Sequence, residues 1–209
     1  MTATIDSDRV TRVLAREHAA ARAQRDARRR AGPDAPFDRS EAYLAIGPDQ
    51  GATLYMLARA AGARRIVEFG SSFGISTLYL AAAAADNEGH VTGSERYDNK
   101  RAHALASLEE AGLARHAEIR AGDALESLTG VEGPLDFVFL DGDKSAYREV
   151  LDALTPRLRT GAWVVADNLD HFDGEPGDFR HFITHSPERF TTRLIAVGPG
   201  QFSVSRFRG

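Results

Sequence analysis

Short apolar runs alternate with longer helix-like stretches through most of the chain. Arg65–Phe69, His90–Ser94, Ala117–Arg120, Leu135–Leu140 and Ala162–Ala166 read as strands. Between them Gly74–Ala85, Asn99–Ala111, a short stretch near Ala124–Leu128, and Ala146–Leu158 read as helices. β/α units in this order predict a doubly wound parallel sheet. After a further helix over Asp178–His185, two more apolar runs follow, Thr191–Val197 and Phe202–Phe207. The turn Gly198-Pro199-Gly200 between them is so short that this last pair must be antiparallel. Ahead of the first strand, Asp6, Ser7 and Asp8 can cap a helix running to about Arg30. The linker Ala31-Gly32-Pro33-Asp34-Ala35-Pro36 ends it, and Pro48–Ala61 predicts a second helix stopped by Gly62. The expected organisation is a helical extension and linker over residues 1–40 and one α/β domain over 41–209.

In sheets of this kind ligands bind beyond the carboxyl ends of the strands, so the residues there carry the candidate chemistry. The first strand enters V-E-F-G-S-S-F-G-I-S-T, where Gly70 and Gly74 permit tight turns and Ser71, Ser72 and Ser76 can donate hydrogen bonds. The spacing is not G-x-G-x-x-G, which leaves a nucleotide-like ligand and a plain tight turn both open. The second strand ends in G-S-E-R. An acidic residue such as Glu95 at that point can accept from both hydroxyls of a ribose and disfavours a 2′-phosphate, so NADP is not expected; the competing reading is a surface glutamate. Asp123, in A-G-D-A-L, stands where the rim of an adenine could be reached.

The fourth strand ends in D-G-D-K and the fifth in D-N. Asp141, Asp167 and Asn168 offer oxygen ligands suited to Mg²⁺, Mn²⁺ or Ca²⁺ rather than zinc, with Lys144 beside them as a base. The alternative is that these groups cap neighbouring loops. His181 and His185 have i, i+4 spacing without the H-E-x-x-H pattern and read as surface or packing residues. His171 could face a substrate, Trp163 reads as core, and Asp143 has no assigned role.

Composition narrows the classes. The chain has 209 residues, 43% apolar and 27% charged, which suits one globular domain with its own core. The absence of cysteine excludes disulfides, thiolate metal sites and cysteine nucleophiles. No apolar run approaches the roughly 20 residues of a membrane span. The opening M-T-A-T-I-D-S-D-R-V does not resemble a signal peptide, so a cytoplasmic location without membrane contact is expected. Eight arginines against Asp6, Asp8, Glu17 and Asp26 put residues 1–30 at +4 and the remainder at −8. Because alanines dilute those arginines and no aromatics interleave them, a solvated helix face is expected rather than a nucleic-acid contact.

Taken in order, V-E-F-G-S-S-F-G-I-S-T, G-S-E-R, G-D-A-L, F-L-D-G-D-K-x-x-Y and V-V-A-D-N resemble the cation-dependent S-adenosylmethionine O-methyltransferases. That family includes catechol O-methyltransferase, the plant caffeoyl-CoA O-methyltransferases and small bacterial relatives. The resemblance runs from about Glu41 to the C-terminus. It implies a Rossmann-like seven-stranded sheet with its last strand antiparallel. It also implies that Glu68, Gly70, Ser72 and Ser76 line the methionine part of S-adenosylmethionine, with Asp141 beside the cofactor. Glu95 would hold the ribose, Asp123 and Ala124 would border the adenine, and Ile46 and Gly47 would close over the cofactor. Asp141, Asp167 and Asn168 match the metal ligands, and Lys144 the lysine that assists deprotonation of the acceptor. D-G-D-K is closer to the plant form than to the catechol enzyme, whose C-terminal glutamate has no equivalent in P-G-Q-F-S-V-S-R-F-R-G. Residues 1–40 match nothing closely; in the family this part shapes substrate access, and relatives often form homodimers.

The expected activity is therefore methyl transfer from S-adenosylmethionine to a hydroxyl of a small molecule, a vicinal diphenol or related compound, activated by a divalent cation. Two other readings stay open: an NAD-dependent oxidoreductase using Glu95, without the usual glycine spacing or a Tyr-x-x-x-Lys pair, and a nonenzymatic S-adenosylmethionine-binding or RNA-associated protein.

Overall fold

The apolar runs become strands because alternate residues bury on opposite faces of one sheet. In the computed structural model, which describes residues 3–209, Phe137 and Phe139 enter one core and Val138 and Leu140 the other. The strands are β1 (Arg65–Phe69), β2 (His90–Glu95), β3 (Ala117–Ala121), β4 (Leu135–Leu140), β5 (Leu158–Ala166), β6 (Phe190–Val197) and β7 (Gly200–Phe207). They form one seven-stranded sheet in the order β3-β2-β1-β4-β5-β7-β6. The first five are parallel, while β7 pairs antiparallel with both β5 and β6. The strand order reverses between β1 and β4, the switch point at which such sheets bind ligands.

One face is covered by α1 (Asp8–Ala31), α2 (Pro48–Ala60), α3 (Ile75–Asp86) and α4 (Asp98–Glu110). The opposite face carries α5 (Ala124–Ser127), α6 (Tyr147–Leu154) and α7 (Phe179–Thr184). Residues Ile75 to Ala84 are all buried, so α3 is buried around its whole circumference and packs between the sheet and its neighbouring helices. Alanines let those neighbours come close. A Cβ on Gly51 of α2 would lie 2.1 Å from the Tyr79 ring. The N-terminal helix shares this core: Val10, Val13, Leu14 and Ala21 are buried in it, and Ser7 accepts from the Val10 N–H as its N-cap.

The strands and helices lie near where the hydrophobic pattern predicts, but β5 begins at Leu158, four residues before the predicted Ala162, and β7 at Gly200 rather than Phe202. The predicted helix over Ala146–Leu158 stops at Leu154 and gives way to a 3₁₀ turn over Thr155–Arg157. Pro156 has no N–H to continue the α-helical ladder. Leu158 instead opens β5 and pairs with Leu135.

Candidate active site

At the switch point the loops following β1 and β4 lie against each other. Gly70 has φ +93°, and a Cβ there would meet the Gly142 backbone at 2.6 Å; only glycine fits both constraints. This contact joins the V-E-F-G and D-G-D-K segments and opens beside them a cavity of about 870 Å³. Gly47, Gly70, Ser72, Glu95, Asp123, Ala124, Asp141, Lys144, Asp167 and Asn168 all line it. Ile46, Glu68 and Ser76 are buried outside that lining. Glu68 accepts from Ser71 Oγ at 2.6 Å and Thr77 Oγ1 at 2.5 Å, which braces the turn from below. Burial pushes its carboxyl up, against those hydroxyls.

At the β2 end, Glu95 Oε2 accepts from the Ser72 N–H at 2.7 Å and Oε1 from the Tyr97 N–H at 2.8 Å. The carboxylate is thereby fixed in place, with lone pairs left for a ligand. Asp123 caps α5 and pairs with Arg96 at 2.7 Å on the cavity rim. A nucleoside with a cationic amino-acid tail fits such a wall. It would find acceptors at Glu95 and Asp123 and a carboxylate at Asp141.

The β4 and β5 ends supply the acidic pole. Burial pushes Asp141 up to about 7; the Lys144 ammonium opposes the shift, while the Asp167 and Glu68 carboxylates add to it. Burial also pushes Asp167 up, against the Asn168 N–H, the Lys144 charge and the Gln50 amide. Two carboxylates, Asp167 buried and Asp141 nearly so, facing one ammonium lack positive charge, and their donors are hard oxygens. Asn168, at φ +57°, continues the same edge. The donor set thus fits a divalent cation, as two carboxylates and an amide. No cluster of three His, Cys, Asp or Glu occurs among the described residues.

Lys144 is held from three sides: its Nζ lies 3.2 Å from Asp141 Oδ1, 3.3 Å from Gly142 O and 2.8 Å from Tyr147 Oη. Asp143 caps the turn that carries the lysine, accepting from the Ser145 N–H and Oγ, and faces Arg39 at 3.7 Å. Sequence reasoning left it without a role and missed two others. Tyr147 is fully buried and donates to Asp167 O at 3.3 Å; its i+3 spacing from Lys144 is the signal for it. Gln50 donates to Asp167 Oδ1 and Oδ2 at 2.9 and 3.0 Å and accepts from the Gly47 N–H, and a capping-box glutamine is weak notice of so distant a partner.

A strap over residues 37–47 roofs the cavity with Phe37, Arg39, Tyr43, Leu44 and Ala45. Gln24 of α1 reads its backbone, donating to Glu41 O and accepting from the Tyr43 N–H. Tyr43 stacks on Phe73 of the β1 loop and donates to the buried Glu17 of α1 at 2.8 Å. Burial alone would raise the Glu17 carboxyl, but hydrogen bonds from His103, Arg16 and Tyr43 outweigh it and hold it below the ordinary value. His171 and the hairpin residues Gly198, Pro199 and Gly200 close the far side of the cavity. His181 of α7 and His185, which follows that helix, stack on each other at 4.2 Å and do not line it.

A family profile described as a methyltransferase domain matches residues 67–169, from β1 to just past Asn168. A catechol O-methyltransferase of Mycobacterium tuberculosis is 38% identical over 128 residues, 60% of this chain and 57% of that protein. Another from Niastella koreensis is 34% identical over 131 residues, 60% of this chain and 58% of that protein. Over this stretch the chain is similar to O-methyltransferases of the catechol type. The alignments span well under two thirds of those curated relatives' own length. Over its length the chain also superposes on a solved O-methyltransferase of Streptomyces achromogenes involved in tomaymycin synthesis, in complex with S-adenosylmethionine. The TM-score is 0.73 at 27% identity, with 94% of this chain and 90% of that one covered. Among the described residues, no helix is long and apolar enough to cross a membrane.

Proposed function

We propose that the protein moves the methyl of S-adenosylmethionine to a hydroxyl of a small-molecule acceptor, a vicinal diphenol or close relative, with a divalent cation at Asp141, Asp167 and Asn168. The observation that carries this reading is the union in one cavity of the Glu95 and Ser72 wall with the Asp141, Lys144, Asp167 and Asn168 pole. Bound S-adenosylmethionine supplies an electrophilic methyl on a sulfonium. A divalent cation, when bound, supplies Lewis acidity that makes a hydroxyl easier to deprotonate.

The chain's own residues do the rest. Glu95 fixes the nucleoside end, and the Asp141 carboxylate favours a positively charged tail beside it. As a neutral amine, Lys144 Nζ takes the acceptor's proton and becomes the ammonium facing Asp141, positioned by Tyr147 Oη and Gly142 O. The strap and the β6–β7 turn shed water from the acceptor and align it with the methyl. The named activities of the relatives support an aromatic hydroxyl as acceptor.

The test is methyl transfer from labelled S-adenosylmethionine to a panel of diphenols. Chelation should abolish transfer and Mg²⁺ or Mn²⁺ restore it, whereas full turnover after exhaustive metal removal would sink the cation-assisted mechanism. Calorimetry with S-adenosylhomocysteine against NAD separates this reading from an oxidoreductase.

A further inference from the structure

Lys100, on the first turn of α4, is 2% exposed and yet lines the cavity. An ammonium has three donors. Among the described residues, the hydrogen bond found for it is to Ser72 Oγ at 3.5 Å, the outer edge of bonding distance. The Phe73 and Tyr97 rings flank it, with centroids 5.3 and 5.4 Å from Nζ. Glu95 on β2 and Glu41 and Asp38 on the strap act on it through space, opposed by Arg39. Burial nevertheless pushes its pKa below the ordinary lysine value. A buried cation with so little direct compensation is costly unless something in the cavity completes its shell.

The chemistry of Glu95 indicates what completes it. A hydroxyl is both donor and acceptor, but a carboxylate can only accept. Glu95 can therefore take the protons of two ribose hydroxyls while leaving their oxygens without donors in a sheltered site, and an unmet acceptor there weakens binding. Ser72 connects the two groups, since its N–H bonds Glu95 and its Oγ meets Lys100. We infer that Lys100 and Glu95 form a two-sided clamp for the vicinal diol of the cofactor's ribose, Glu95 accepting from the hydroxyls and Lys100 donating to their oxygens. This rests on the proposed use of an adenosyl cofactor.

Calorimetry on the full chain tests it with two ligands that share the ribose, S-adenosylhomocysteine and 5′-methylthioadenosine, the second lacking the amino-acid tail. Lys100→Met should weaken both by about tenfold or more, the scale of a lost charged hydrogen bond. Lys100→Gln, which keeps an N–H donor, should lose less. Without ligand, both variants should melt at or above the wild-type temperature, because a poorly compensated buried charge is gone. Unchanged affinities would overturn the clamp. So would a loss confined to S-adenosylhomocysteine, which would place the ammonium on the amino-acid tail. Ligand-free melting well below wild type in both variants would make Lys100 a structural residue and also overturn it. A wild-type protein that binds neither compound would sink the methyl-transfer reading itself, and the clamp with it.

Discussion

Lys144 can serve as a base only if its long side chain is kept from wandering, and Tyr147 is the residue placed to do that. The phenol bridges Lys144 Nζ and Asp167 O from a fully buried position. Tyr147→Phe keeps the ring packing and removes the bridge. It should lower kcat by about fivefold, from the roughly 1 kcal/mol of one hydrogen bond, with KM for S-adenosylmethionine unchanged; a change in KM alone would refute the positioning role. Asp136, outside the cavity, is a case of stability rather than catalysis. Burial would raise its carboxyl, but Arg159 and the Arg64 and Arg65 N–H groups outweigh burial and lower it. A depressed carboxyl stabilises the fold above its ordinary value near 3.8, and that stability is lost as pH falls through the lower folded value. Urea unfolding of Asp136→Asn should be about 1 kcal/mol easier at pH 7 and flatter than wild type in that acid window; parallel curves would exclude the linkage.

Among the elements, the strap is the one that hydrophobic patterning could not announce. It has no period, and its path is set by side chains far away in sequence: Gln24, Glu17 and Asn99. Glu17 was legible as one of few acids among arginines, but not as a buried acceptor for Tyr43 and His103. Glu17→Gln should cost roughly 1–3 kcal/mol in unfolding and weaken S-adenosylhomocysteine, because Tyr43 steadies Phe73 beside Ser72. Wild-type affinity in that variant would separate the strap from the cofactor site. The strands were easier. Buried parallel strands are continuous apolar runs, and β1 and β4 have the predicted bounds. The first half of β5 was obscured because Arg159, Thr160 and Gly161 lack that apolar character.

At the scale of the whole molecule, the site is legible because topology does most of the assembling. Residues from Gly47 to Gly200 meet in one cavity, since parallel strands bring all their carboxyl ends to one edge. Pairwise chemistry across that edge was not legible: Gln50 on Asp167, Tyr147 on Lys144 and Lys100 beside Ser72 depend on rotamers and approach distances that spacing does not encode. The strand order also bears on synthesis. β6 hydrogen-bonds only to β7 among the described strands, and β7 lies between β6 and β5. A ribosome delivers β6 first. The nascent chain can assemble the five parallel strands while Phe190–Val197 has no edge to join, and its apolar residues wait for β7, Gly200–Phe207, to emerge. In that interval β5 is an open edge beside an unpaired strand, the moment at which a growing copy is most prone to pair with another.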